Sequence, residues 1–546
     1  MSNRRQRRRA EPVDFPLCTR GVYKASGYSR IPEGFTPYAR NVYPYDSFGR
    51  LRPGQRCGSG KFWSFQFGGG AKFIQHLSAA QVTDATAGTS YFKVIVGCGG
   101  MVYGQMPGDA SATRLDGSGA ATFSASRKIT AFTINNVTYF TDGLVVKQYD
   151  WGAATFGDWT AAAGTFPVSN SQYPRIWCPW RGRAVWARFD KGIPSIMGFD
   201  AMGGAATNFD YGATPAPDIA IATNSNWKAG QIGEGVTALM PTSGDVLYVS
   251  QENKIGAFRG DPGDGGTYVE VSGSVGVLAD RAFCEVEGTI YFWGTGGIYR
   301  LRPFSTPERI SEAIHDDVSD MPHQGWYLEA AYDKKLDAIL FTATQAATPF
   351  ATKHYLYDMR AERAFGVGGW WPIDFPADTG GDDNASGTTA PTYGPTKILS
   401  FDGNAQTTDS RVVLLGGRDG YVRYMADSLV GADTGAAITS DAYLAFVRPA
   451  GATSEAMLNG WWPVLAEHGS AVNAEWSIRV GATPYVAHSS PAITKSGTFT
   501  SGGRQAVQGH RATGNSFALR IQNSTLNKQW ALEQATGHFE PAGPVR

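Results

Sequence analysis

The chain has 546 residues, 42% of them hydrophobic and 18% charged, with 48 basic residues balanced by 48 acidic ones. This length buries a sizeable core and leaves room for more than one domain. The neutral balance excludes a global basic field of the kind that draws nucleic acid, and no apolar run is long enough to span a bilayer, so no membrane span is expected.

The first ten residues hold Arg4, Arg5, Arg7, Arg8 and Arg9. Such a run does not fold alone, and it is expected either to grip an acidic partner or DNA or to remain a solvated tail. Glu11-Pro12-Val13-Asp14 follows it where a secretion signal would carry an apolar stretch, so the segment is not read as one. From there to about Gly60 the chain is rich in Pro, Gly, Tyr and Arg. Residues 1–60 are therefore predicted to form an extended arm that wraps over other surfaces.

A weak repeat begins next: a short strand, a polar turn, a strand rich in aromatic and β-branched residues, and a Gly opening a further strand. It reads clearly over Ile129 to Gly143, where Asn135-Asn136 suits a tight hairpin. Further copies lie at Arg181–Trp186, Ala238–Val249, Cys284–Leu301, Ala331–Phe341 and Arg411–Tyr421, with an earlier one over Tyr91–Tyr103. Steps of roughly 40 to 70 residues between small β units favour radial packing, which hides strand edges. The prediction is an all-β chain with a central β-propeller of six or seven blades over 61–428. A polar loop at 377–395 interrupts it. One short helix is predicted around Pro307 to Val318. After about Ser428, Ala442–Val447, Ala474–Val480 and Ser516–Ile521 alternate with period two, and 429–546 is predicted to be a C-terminal β-sandwich, or platform.

The chemistry-bearing residues point away from catalysis. Five scattered cysteines without a CxxC pair read as buried free thiols, and eight histidines show no HxH or HExxH spacing, so no metal is expected. There is no GxSxG elbow, and Gly68-Gly69-Gly70-Ala-Lys72 lacks the GK[ST] of a phosphate loop and reads as a hairpin loop. No cofactor and no catalytic residue are assigned. Propellers can host paired-carboxylate glycosidases, and the available clusters are Asp316-Asp317, Asp333/Asp337 and Asp382-Asp383: the first reads as a helix end and the last lies in the polar loop, where two carboxylates are poorly fixed. In Trp370-Trp371 and Trp461-Trp462, neighbouring side chains on a strand point to opposite faces, so one Trp of each pair is expected in the core and one on a partner surface.

The stretch Asn41-Val-Tyr-Pro44-Tyr-Asp46-Ser-Phe-Gly49-Arg50-Leu-Arg52-Pro-Gly-Gln-Arg56-Cys-Gly58 resembles a recurrent N-terminal motif of structural proteins from tailed bacteriophages. Arg511 to Ile521, Trp530-Ala-Leu-Glu533 and Glu540-Pro541 are similar to the C-terminal part of the same proteins. Asn253–Gly256, Gly288–Tyr299 and Arg309-Ile310-Ser311 look like the propeller core of tail nozzle proteins, the tail tubular protein B and packaged-DNA stabilisation families of short-tailed phages. That resemblance implies a homohexameric ring in the virion tail, made in the bacterial cytoplasm. The ring would sit below portal and adaptor, carry fibres or tip proteins on its flank, and pass viral DNA through its channel. On this reading Asp382 and Asp383 line the channel or its mouth, and Arg4, Arg5, Arg7, Arg8 and Arg9 contact the adaptor or DNA. The alternative is a receptor- or polysaccharide-binding tail protein with glycosidase activity.

Overall fold

Asn135 and Asn136 take φ of 49° and 63°, the left-handed conformation that a two-residue hairpin needs, and fold Thr130–Ile134 back onto Val137–Thr141. Arg181-Gly182 and Glu287-Gly288 make the same kind of turn, with φ of 50° and 71°, and 52° and 80°. In the computed structural model, which describes residues 11–45, 49–83, 88–190, 194–211, 220–222, 234–322, 324–346, 352–375, 394–403, 411–426, 431–444, 446–467, 472–489 and 494–544, seven small antiparallel sheets built on such hairpins follow one another. Each holds one copy of the sequence repeat. Blade 1 has three strands, Ile74–Thr83, Ser90–Cys98 and Met101–Gln105; the other sheets have four. Blades 2 to 7 open with Thr130–Ile134, Ile176–Trp180, Val236–Pro241, Phe283–Val286, Trp326–Asp333 and Lys397–Phe401.

These opening strands are neighbours around a hub. The strand of blade 1 lies beside that of blade 2, then blades 3 and 4 follow; those of blades 5, 6 and 7 are likewise adjacent, and blade 7 returns to blade 1. Blades 4 and 5 share one apolar core through Met240, Tyr248, Ile290 and Trp293. The result is a β-propeller, in which radial packing covers most sheet edges. Its closure uses the far end of the chain. Ser59–Lys61, from the N-terminal arm, pairs with Val422–Met425 as the fourth strand of blade 7. Gly68-Gly69-Gly70, expected in a hairpin, instead lies in the crossover from this strand to the first strand of blade 1.

Two five-stranded sheets form the C-terminal β-sandwich. One contains Ser516–Asn523 and Ala474–Gly481, both legible from their alternation, and Ser440–Tyr443, which meets the strand expected over 442–447 only at Ala442 and Tyr443, with Lys495–Phe499 and the arm strand Ala39–Arg40 at its edges. The other pairs Ser454–Leu465 with Leu532–Pro544, and adds the arm strand Glu11–Asp14 on the outside. Their shared core holds Trp461, Trp476, Phe517, Leu519 and Phe539, and extends into Leu340, Leu356 and Trp371 of blade 6 and Ile398 and Leu415 of blade 7. The sandwich therefore packs against two blades through apolar side chains. Trp370 and Trp371 do point to opposite faces, but both are fully buried: one enters the propeller core and the other the core shared with the sandwich. The surface expected to be a partner's is another part of the same chain.

The predicted helix is a 3-10 turn at Glu312–Ile314 running into His315–Val318. Met359–Phe365 is a second helix. Asp358 caps it by accepting from the backbone N–H of Arg360 and Ala361, and Gly366 ends it at φ 76°.

Candidate functional site

The described arm residues of the stretch, 41–45 and 49–58, sit where sandwich and propeller meet. Arg56 is completely buried and is held from several sides. Its Nε donates to Asn41 Oδ1 at 2.9 Å, Nη1 to Cys57 O and to Asp433 Oδ1 at 2.9 Å each, and Nη2 to Asp374 O at 2.7 Å and to Asp433 Oδ2. Asp433 also accepts from the backbone N–H of Ser59 at 2.8 Å and from its hydroxyl at 2.9 Å, beside the strand that closes blade 7. Asn41, at φ 54°, receives Asp374 N on Oδ1 and donates Nδ2 to Thr439 O. A buried guanidinium pays a large desolvation cost and persists only when its donors are matched in this way.

The two ends of the chain meet at the same seam. Gly54 forms a β-bridge with Ala531, and Gln55 N donates to Trp530 O at 2.9 Å. A Cβ on Gly54 would lie 2.6 Å from that carbonyl, so the close approach requires glycine. Arg52 pairs with Glu533 at 3.2 Å. Gln55 Oε1 accepts from Asn523 Nδ2 and Ser440 Oγ, and Trp530 Nε1 donates to Ser440 Oγ.

A second polar cluster occupies the hub, at the entry ends of the opening strands. Lys128 Nζ of blade 2 meets Asp280 Oδ1 of blade 5 at 3.2 Å, and Lys397 Nζ of blade 7 meets Glu329 Oε1 of blade 6 at 2.5 Å. Asp190 is shared between Arg127 and Arg175, the latter at 3.0 Å. Burial alone would push the Asp280 carboxyl up, but Lys128, Lys397, Arg175 and Arg281 together outweigh it and hold the group well below the usual carboxylate range. Burial raises Glu329 and lowers Lys397, each against the pull of its partner. His76 is held neutral by burial and nearby cations, its Nδ1 3.1 Å from Ile129 O. A cavity of about 530 Å³ opens above this cluster, with Lys128, Arg175, Arg188, Asp190, Asp280 and Tyr327 in its wall.

Of the residues singled out from sequence, Arg4, Arg5, Arg7, Arg8, Arg9, Asp382 and Asp383 lie outside the described residues. In the other carboxylate pairs, Asp317, Asp333 and Asp337 have structural partners. Asp317 bonds Lys24 at 2.6 Å; Asp333 Oδ1 accepts from the backbone of Lys335 and Leu336 in a turn; Asp337 pairs with Arg363 and accepts from Tyr332. The five thiols are free, four of them buried, and burial pushes Cys18, Cys98 and Cys178 up to about 12. Among the described residues no group of three or more His, Cys, Asp or Glu is placed to hold a metal. Sequence reasoning missed the hub, because Lys128, Arg175, Asp280 and Lys397 share no motif. Their only common signal is a charge at the start of a repeat unit.

No protein-family model matches this chain, and no curated protein does. Solved structures that are similar to it include the extracellular domain of BT4673 from B. thetaiotaomicron, at 10% identity and TM-score 0.39, covering 68% of this chain and 40% of that one. Virginiamycin B lyase from Staphylococcus aureus follows at 11% and 0.39, covering 66% and 97%, and the N-terminal domain of Nup159 at 8% and 0.37, covering 68% and 95%. The chain thus spans about two fifths of the length of the first of these.

Proposed function

We propose that this chain is a non-catalytic structural subunit of a virion tail: a nozzle ring below portal and adaptor that closes the DNA channel and conducts the genome during ejection. One observation carries the reading. The motifs that resemble tail nozzle proteins lie about as far apart in the sequence as the chain allows, yet Gly54 and Ala531 touch, and Arg56 locks the junction to Asp433. These motif residues fasten sandwich to propeller, and Tyr43, Pro44, Tyr45, Gly49 and Cys57 also border a cavity of about 240 Å³. A ring subunit that bears load needs its modules coupled rigidly, and a buried, fully bonded guanidinium between two β bodies supplies that. Formal net charge of zero also suits a conduit, since dense Lys/Arg contacts to phosphate would retard DNA.

On this proposal the subunits form a homohexamer, fibres or tip proteins attach to its flank, and the arginines at positions 4 to 9 grip the adaptor. The test is reconstitution of tails on purified adaptor-bearing heads. The full chain is expected to retain packaged DNA and to leave host polysaccharide uncleaved, whereas a chain lacking residues 1–9 assembles less well. Undiminished assembly by the truncated chain would remove the role of the arginines. Cleavage of polysaccharide by the purified protein would overturn the structural reading in favour of a depolymerase.

A further inference from the structure

The hub carries charge that the fastening of blades does not consume. Lys397 is committed to Glu329, Lys128 to Asp280, and Arg127 and Arg175 share Asp190. Arg188, in the cavity wall, has no carboxylate partner among the described residues; its Nη1 donates to Val236 O at 3.4 Å. Arg127, Lys128 and Arg175 stand in the same wall. Removing water from such groups is costly unless an acceptor replaces it. The carboxylates facing the well are Asp190, Asp280 and the exposed Glu252, fewer than the cations around them.

The space is suited to a ligand. About 530 Å³ lies within the range of small-molecule sites and exceeds what one or two waters fill. Low-dielectric walls contributed by blades 2 to 6 focus the positive potential into the well. Tyr327 and Trp326 border it and supply flat, partly apolar surface. Guanidinium forks match the geometry of phosphate or carboxylate oxygens.

We propose that the propeller hub is a binding site for a small multivalent oxyanion, of the phosphate or polycarboxylate class, held by Arg188 and Arg175 with support from Lys128 and Arg127. The site is independent of the ring reading, because it depends only on groups within one chain. Bound there, the anion would complete the charge balance of the hub and tie the mouths of blades 2, 3 and 5 together.

The test is calorimetric titration of the full-length protein with pyrophosphate, citrate and inorganic phosphate, at ionic strength matched with sodium chloride. Saturable binding near one equivalent per chain is expected, weakened at least about tenfold in Arg175→Gln and in Arg188→Gln. A preference for pyrophosphate over citrate assigns the phosphate class, and the reverse assigns the polycarboxylate class. Circular dichroism checks each variant. Should Arg175→Gln fail to fold, Arg188→Gln at the rim decides alone. Absence of saturable heat with all three probes, or unchanged affinity in the folded variants, overturns the proposal.

Discussion

His354 shows how a single buried ring can set the response of the molecule to pH. It lies on the third strand of blade 6, its Nδ1 accepting from Ala343 N at 3.3 Å and its Nε2 buried with no partner among the described residues. Burial lowers its pKa to about 4; Asp374 pulls it up and Arg56 pushes it down by less. The unfolded chain takes up this proton near pH 6.5, the folded chain only near 4. Stability from the neutral ring is therefore complete above about 6.5 and lost as pH falls through the window to 4, a contribution on the order of 3 kcal/mol. His76, also depressed, adds to the same slope. In His354→Gln, where the amide oxygen can accept from Ala343, the midpoint of thermal unfolding is expected to fall less steeply between pH 6.5 and 4 than in the wild type. An unchanged slope would show that His354 is not held neutral.

At the scale of elements, the arm is the part whose importance exceeds its size. It adds an edge strand to each sandwich sheet and the last strand to blade 7, and Arg56 fastens it. Arg56→Ala leaves Asp433 buried at 2% exposure without its cation, a loss expected to cost about 3–5 kcal/mol. Urea unfolding followed by tryptophan fluorescence checks this, and a change below about 1 kcal/mol would mean that the clamp contributes little. The hairpins of the blades were legible because their turns are local: Asn135-Asn136 announces left-handed φ directly. Ala474–Gly481 and Ser516–Asn523 of one sandwich sheet were legible from their period-two alternation. Ser454–Leu465 and Leu532–Pro544 were not, because their pairing shifts register between Glu455 and Ala456, between Leu458 and Gly460, and between Val464 and Leu465. Each bulge moves the inward side chain by one residue and erases the period-two signal. The clamp was half visible: Arg56 stands in a quoted motif, but Asp433 is 377 positions away, and no local rule connects them. The hub was invisible because its charges come from separate blades and converge only after the ring closes.

For the whole molecule, the account rests on a rigid two-body subunit, with the propeller closed by the N-terminal arm and the platform seated on blades 6 and 7. Such a body offers broad β surfaces to its neighbours. Exposed apolar side chains occur on both parts, including Val269 on the outer strand of blade 4 and Tyr485 on the sandwich. Closed rotational symmetry buries equivalent surfaces on every copy and leaves no unpaired end. The most direct measurement is electron microscopy of the purified full-length protein, alone and with the remaining tail components, with class averages sorted by symmetry. A sixfold annulus with a central channel is the result expected. Particles that remain monomeric in the presence of the tail components, or that form a threefold spike, would contradict the account.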